Sequence, residues 1–212
     1  SCCPAWVKYL ELNNPHYLKN ISSCKSPMEM FAAVLRDKYR EKDAADGRRT
    51  YHVAIMPCTA KKMEARREEF RDAYGVPYVD LVLTTQEVVQ MMKESGIRFQ
   101  MLEKESPDLP YGMGSGAAEI FGTSGGVMEA ALRTVADIVA GEELKDIEYT
   151  AVRGLYQTKE ATVYVAGHKV RIAVCNSLGA AQQIMDRIRA GNAEYDFIEI
   201  MACPGGCIGG GG

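Results

Sequence analysis

The sequence predicts an α/β protein in two lobes, and three observations predict it. In the first half, strand-like runs are each followed by a helical pattern, the alternation that builds parallel sheets. In the second half, a glycine-loop helix, a hairpin signature, a second helical pattern and a last strand follow in turn. Between the halves, residues 105–116 are polar and rich in Pro and Gly, so the lobes are expected as residues 1–114 and 115–212.

Taken in order, residues 6–12 read as a short helix ended near Pro15. Ser26-Pro27-Met28-Glu29 is a helix start, with Ser at the N-cap, Pro at N1 and Glu at N3 as in a capping box. Phe31, Val34 and Leu35 supply the apolar stripe of that helix. Residues 51–56 read as a strand that delivers Cys58 at its C-terminal end, and residues 79–83 as another. Thr84 with Glu87 caps the next helix, which carries Val88, Val89 and Met92. Gly122-Thr123-Ser124-Gly125-Gly126 leads into a helix with Val127, Met128, Ala131, Leu132, Val135 and Val139, stopped at Gly141. Residues 162–165 and 170–174 read as a hairpin around Gly167, residues 178–189 as a helix, and residues 197–201 as a strand that delivers Cys203.

Composition narrows the function. The 212 residues include 25 basic and 28 acidic side chains, a net charge of -3, which argues against a nucleic-acid binder. Hydrophobic residues make up 47%, and a chain of this length buries roughly 70% of its unfolded surface, so a packed core is expected. No apolar run approaches the roughly 18 residues of a membrane span. The first residue is Ser, so the chain is expected to be processed or cut from something longer, with any targeting segment lying upstream.

Seven cysteines make a poor disulfide framework, and in a reducing compartment such thiols more often serve metals or catalysis. Cys2 and Cys3 are adjacent and precede Pro4; Cys58 follows Met56-Pro57; Cys203 and Cys207 bracket Pro204-Gly205-Gly206. Two of these segments stand at C-terminal ends of strands, where open α/β sheets place ligands. Glycines beside Cys203 and Cys207 let backbone approach a bulky object. Four thiolates from three segments (Cys3, Cys58, Cys203, Cys207) suit a [4Fe-4S] cluster. Zinc is the rival, although Cys3 and Cys58 lack the close partners that zinc sites favour. A redox dithiol is weaker, because three residues rather than two separate Cys203 and Cys207.

Three segments then carry a resemblance. Ser1-Cys2-Cys3-Pro4-Ala5-Trp6, Met56-Pro57-Cys58-Thr59-Ala60-Lys61-Lys62-Met63-Glu64, and Glu199-Ile200-Met201-Ala202-Cys203-Pro204-Gly205-Gly206-Cys207 resemble the signature motifs of [FeFe]-hydrogenases, in the family's order. Residues 121–131 and Val152-Arg153-Gly154-Leu155 match the same pattern. The resemblance implies a two-lobed hydrogenase large-subunit-like core, each lobe a mostly parallel sheet with flanking helices, and an H-cluster between the lobes. It implies a cubane [4Fe-4S] ligated by Cys3, Cys58, Cys203 and Cys207, with Cys207 bridging to a two-iron unit bearing CO, cyanide and azadithiolate. Cys2 is then the proton-relay thiol and Lys61 the hydrogen-bond donor to cyanide. Met56 and Met201 pack by the two-iron unit, and Ser22 stands at the relay hydroxyl position of the proton route, although a Ser in a loop before a helix usually caps.

The implied activity is reversible proton reduction to H2 in anaerobic hydrogen metabolism. Its partners are H2, protons, maturation proteins, and an electron carrier such as ferredoxin or an Fe–S domain or subunit. Neither nucleic acid nor a membrane span is implied, and the expected compartment is the cytoplasm, with the periplasm open. The alternatives are a hydrogenase-like iron–sulfur carrier or assembly protein and a sensory relative; both usually differ at the relay thiol, so Cys2 favours catalysis. Sequence ends inside the first and third motifs imply a fragment, or a core that relies on another chain. Outside the motifs, Cys24 and Cys175 read as ordinary buried thiols and Met28, Met91 and Met92 as packing. Lys62 and residues 64–71 read as a solvated helix face, and His16, His52 and His168 receive no chemistry.

Overall fold

The structure, a computed structural model, describes residues 1–140, 157–165 and 167–212. The chain divides into two compact units, residues 1–106 with 211–212, and residues 107–210. The expected stop at Gly141 and the segment Val152-Arg153-Gly154-Leu155 lie outside the described residues. Among the described residues no helix is long and apolar enough to cross a membrane.

The first unit opens with α1 (Pro4–Asn13), which starts two residues earlier than the apolar pattern suggests because Pro4 occupies its first turn. A 3-10 turn over Pro15–Asn20 follows. The helix α2 (Pro27–Asp46) begins at the expected residue but closes only half of the expected capping box: the Ser26 hydroxyl accepts from the Glu29 backbone N–H, the Glu29 side chain does not return to the cap, and Gly47 closes the helix at φ 61°. The buried stripe of α2 differs from the expected one. Phe31 and Val34 are half exposed, while Met28, Glu29, Ala32 and Arg36 face inward.

Strands β1 (Val53–Met56) and β2 (Leu81–Thr84) pair in parallel, with Met56 opposite Thr84. Met28 and Ala32 pack with Val79 and Val82 as the core of this unit, and Met56 lies partly buried against them. Between the strands, α3 (Ala60–Glu64) is a single short helix. Thr84 and Glu87 form the full capping box of α4 (Thr85–Glu94). Val89 and Met91 of α4 are half exposed, so Met91 does not pack as expected.

The Arg36 guanidinium fastens α2 to the strand layer. It donates to the Thr50 carbonyl (2.6 Å), the Pro77 carbonyl (3.1 Å) and the Asp80 carboxylate (2.9 Å). Burial alone would raise the Asp80 carboxyl; the His52 N–H and the Arg49 and Arg36 guanidiniums outweigh it and hold Asp80 below the usual carboxylate range.

In the second unit, α5 (Gly116–Ile120) precedes the glycine loop and α6 (Gly126–Ala140) follows it. Strands β3 (Thr158–Val165) and β4 (His168–Asn176) form the expected hairpin, and β5 (Phe197–Met201) joins β4 in parallel on its other side. This sheet is therefore mixed, one antiparallel and one parallel pairing, because the hairpin contributes its own turn rather than a crossover helix. Met128, Leu132 and Ala136, spaced by one helical turn, pack on Val165, Ile172 and Val174. Val135 and Val139, expected on the buried stripe, are half exposed. The helix α7 (Leu178–Arg189) keeps its expected bounds, capped by the Ser177 hydroxyl.

Candidate metal centre

In the first unit, Cys3 is the N-cap residue of α1 and is buried, held there by Trp6 and Leu10, which anchor the helix in the core. Cys2, beside it, is half-buried. The chain around Cys2 is tied to the segment before α2: the Ser1 nitrogen donates to the Ser22 carbonyl at 3.0 Å and also to the Cys24 carbonyl. Ser22 is exposed, and its hydroxyl accepts from the Cys24 N–H at 3.3 Å. Ser1, Pro4, Ser22, Cys24 and Glu64 line one pocket of about 210 Å³. The structure thus brings Ser22 to the first motif. Cys24, expected as a buried thiol, is exposed instead, because the segment before α2 runs over the surface.

Cys58 sits half-buried at the turn between β1 and α3, two residues after Met56. Parallel pairing fixes this end of β1, since Met56 lies opposite Thr84, the capping residue of α4. Gly212 lies against the same turn: a Cβ there would stand 2.9 Å from the Cys58 nitrogen.

One turn into α3, Lys61 is buried and donates to Glu64 Oε2 at 3.1 Å. The Ser26 hydroxyl donates to the same oxygen at 3.0 Å. Glu64, expected on a solvated face, is therefore a buried link between α3 and the start of α2, and residues 65–71 form turns rather than a continued helix. Lys62 also reaches inward across the unit, to the Val82 carbonyl (2.9 Å) and Glu87 (2.6 Å). Sequence reasoning missed Glu64 because a mixed charge run carries no mark of which residue turns inward.

In the second unit, Met201 ends β5 with its side chain buried, and the chain enters the turn holding Cys203 and Cys207, both half-buried. Backbone packed on backbone shapes this turn. The Ser124 N–H donates to the Gly205 carbonyl (2.9 Å) and the Ile208 N–H to the Gly122 carbonyl (3.1 Å). Gly206 has φ 102°, and a Cβ there would stand 2.6 Å from the Gly122 oxygen and the Ser124 nitrogen, so only glycine fits.

Glu199, two residues before Met201, secures the other side of the glycine loop. Its buried carboxylate accepts from the Gly125 and Met128 N–H groups, each at 2.7 Å, at the start of α6. Burial raises the Glu199 carboxyl above the usual glutamate value, against the pull of those amides. Glu199 stands within the third motif, where sequence reasoning gives it no role; its signal is a lone acid in an apolar strand. Cys175 on β4 is fully buried, as expected for a core thiol, and burial pushes it up to about 11.

Each unit therefore presents two of the four expected thiols on turns that follow or precede regular elements: Cys3 and Cys58 in one, Cys203 and Cys207 in the other. Soft thiolates are the donor set of an iron–sulfur cluster, so the residues present fit such a group in their chemistry. Among the described residues, no three His, Cys, Asp or Glu side chains gather as a ready-made site for a single ion.

Residues 1–211 match the family model of the iron-only hydrogenase large subunit, C-terminal domain. The chain is 44% identical over its whole length to the periplasmic [Fe] hydrogenase large subunit of Nitratidesulfovibrio vulgaris, covering 50% of that protein. It is 42% identical to iron hydrogenase 1 of Clostridium pasteurianum, covering 37% of it, and 31% identical to cytosolic iron-sulfur assembly component 3 of Rattus norvegicus, covering 46%. The chain thus spans half or less of the length of these relatives. Its fold matches the solved [FeFe]-hydrogenase HydA1 of Chlamydomonas reinhardtii with a TM-score of 0.82 at 38% identity, over all of this chain and 60% of that one. By sequence over 211 residues and by fold over its whole length, the chain belongs to the iron-only, or [FeFe], hydrogenase large-subunit family.

Proposed function

We propose that this chain is the H-cluster core of an [FeFe]-hydrogenase, acting in the reversible reaction 2H⁺ + 2e⁻ ⇌ H2. The observation that carries this reading is Cys2: a half-buried fifth thiol, adjacent to Cys3 and outside the set of four ligands. Whole-length identities of 44% and 42% to hydrogenases, against 31% to the assembly component, support it.

In this reading Cys3, Cys58, Cys203 and Cys207 would hold the [4Fe-4S] cubane, and Cys207 would also hold the two-iron unit carrying CO, cyanide and azadithiolate. When bound, the H-cluster supplies the redox chemistry that combines two electrons with two protons. The chain supplies orientation and protons. Cys2 Sγ holds and releases the proton; an ordinary thiol, with a pKa of about 8.5, stays neutral in a dry pocket yet gives up a proton near ambient pH. Lys61 spends one donor on Glu64 and directs its remaining N–H groups at an anionic ligand, a charge-assisted bond. Met56 and Met201 offer thioethers that exclude water without competing as ligands. Ser22, drawn to the first motif by Ser1, stands on the outer proton route.

The electron donor is a ferredoxin-like carrier or a further Fe–S domain or subunit, and maturation proteins install the two-iron unit. The compartment proposed is the cytoplasm; the relative named periplasmic makes the periplasm the second choice. An iron–sulfur carrier role is the second reading, favoured only by the relatives named as assembly components.

Infrared spectra of the matured protein, with hydrogen evolution from a strong one-electron reductant, test the proposal. CO and cyanide stretches with turnover are expected. Cys2→Ala should keep the cubane and lose most turnover, while Cys3→Ala should lose the cubane. A cubane without CO or cyanide bands would favour the carrier reading, and equal turnover in Cys2→Ala and the parent would remove the relay role.

A further inference from the structure

Glu29 is fully buried, and neither carboxyl oxygen has a hydrogen-bond partner. It is the N3 residue of α2, where a capping glutamate would turn back to the N-cap backbone; here only its own N–H is used, by the Ser26 hydroxyl. The side chain instead points into the layer where α2 meets α3. The charged groups that face it are Glu64 and Lys61 from α3 and Lys25 from the segment before α2. The residues clustered with Met28 and Ala32 here are Ala54, Met56, Ala65, Val79 and Val82, all uncharged, and Tyr78, whose ring is covered by the Lys25 ammonium at 4.6 Å.

The charge count of this pocket decides the state of Glu29. Lys61 and Glu64 already form a neutral buried pair, and the Ser26 hydroxyl adds a second donor to the same Glu64 oxygen. A carboxylate at Glu29 would be a second buried anion with no donor of its own, and Lys25, the other cation facing it, holds its ammonium over the Tyr78 ring. An unpartnered buried charge costs far more than an unpartnered neutral acid.

We propose that Glu29 is a positioning residue for Lys61: protonated, it leaves the ammonium oriented by Glu64 alone, and on losing its proton it becomes a rival carboxylate that draws the ammonium away. Burial first, and the Glu64 charge second, push the Glu29 carboxyl up to about 7, so the exchange falls near neutral pH. Lys61 is the group assigned above to hold an anionic ligand, and in that respect the inference rests on the proposed function; the buried acid itself does not.

Two readouts separate the two claims. In the full 212-residue chain without metal, side-chain NMR follows the Glu carboxyl carbons and the Lys61 Nζ, the latter assigned by its loss in Lys61→Arg. One carboxyl carbon is expected to titrate near pH 7 with the Lys61 Nζ signal moving at the same midpoint, and both changes should vanish in Glu29→Gln. If Glu29→Gln does not fold, the parent titration still decides. No carboxyl titrating above about pH 6, or a Lys61 signal that ignores the titration, overturns the proposal. In the matured protein the cyanide stretch should shift with the same midpoint in the parent and stay at its acid position in Glu29→Gln. Cyanide bands that do not move with pH, or move alike in the variant, also overturn it. Absence of cyanide bands altogether would count against the hydrogenase reading, and the metal-free titration would then decide the role of Glu29 by itself.

Discussion

Glu199→Gln should loosen the turn that carries Cys203 and Cys207. The carboxylate accepts two N–H groups at 2.7 Å, from Gly125 and Met128, at the start of a 15-residue helix. A glutamine retains one acceptor oxygen, and its amide nitrogen must face the other N–H, orphaning a donor on each side. One orphaned buried donor costs about 1–3 kcal/mol, and losing the anion at the helix N-terminus adds about 1 kcal/mol. Relief of the carboxylate's burial, which raises Glu199 in the folded chain, offsets part of this. The net expectation is about 2–3 kcal/mol. With a urea slope of about 2–3 kcal/mol/M, the midpoint should fall by about 1 M at unchanged slope. Urea unfolding followed by circular dichroism measures the midpoint, and amide exchange locates the effect. Exchange should accelerate at Gly125 and Met128. A midpoint unchanged within about 0.2 M, or unaltered exchange at these two amides, would refute the role given to Glu199.

Three further outcomes are expected. Arg36→Met should cost about 3 kcal/mol in urea unfolding, because it leaves the Asp80 carboxylate buried with only Arg49 and the His52 N–H, and removes donors from the Thr50 and Pro77 carbonyls. Stability should depend on pH through Glu29: its folded pKa is raised to about 7, so the stability it supports is full below the unfolded value of about 4.3, falls as pH rises through that value and is gone past about 7, a loss of at most about 4 kcal/mol that Glu29→Gln should abolish. Iodoacetamide at about pH 8 should alkylate exposed Cys24 within minutes in the folded chain and spare Cys175, which is fully buried and pushed up to about 11; mass spectrometry of peptides reads both, and early labelling of Cys175 would contradict its place in the core.

Much of the fold was legible because its signals are local. The bounds of α7 follow from Ser177 and the helical period, and those of β5 from five strand-forming residues; the hairpin turn follows from Gly167 at φ 82°. Thr84 and Glu87 closed the capping box that their spacing suggests. Ser26 and Glu29 show the same spacing and close only half of it, because Glu29 is turned inward, a choice made by α3 and invisible in a tetrapeptide. The inward face of α2 escaped detection for a related reason: its stripe contains Glu29 and Arg36, which a search for apolar periodicity skips, while Phe31 and Val34 are half exposed. Glycine misleads in a different way: α5 begins at Gly116, where sequence rich in Pro and Gly reads as loop. The setting of the motif cysteines marks them as candidates, whereas the residues that hold their turns in place, Glu64, Glu199 and Ser124, carry no such mark, since each works through a partner distant in sequence.

The turn at Gly206 has a consequence for the order of events. Its course is set by Ser124 on Gly205, by Ile208 on Gly122 and by the absence of side-chain bulk, all supplied by the polypeptide. Small metal domains whose ligand loops have no such scaffold collapse when a chelator strips them, because ion binding is their folding energy. Here the mould is cast before anything is poured into it. On the proposed function, chelation and reloading should therefore leave the course of this turn unchanged, and a carrier delivering a preassembled group would meet the Cys203 and Cys207 segment already shaped rather than a loop that must organise around its cargo.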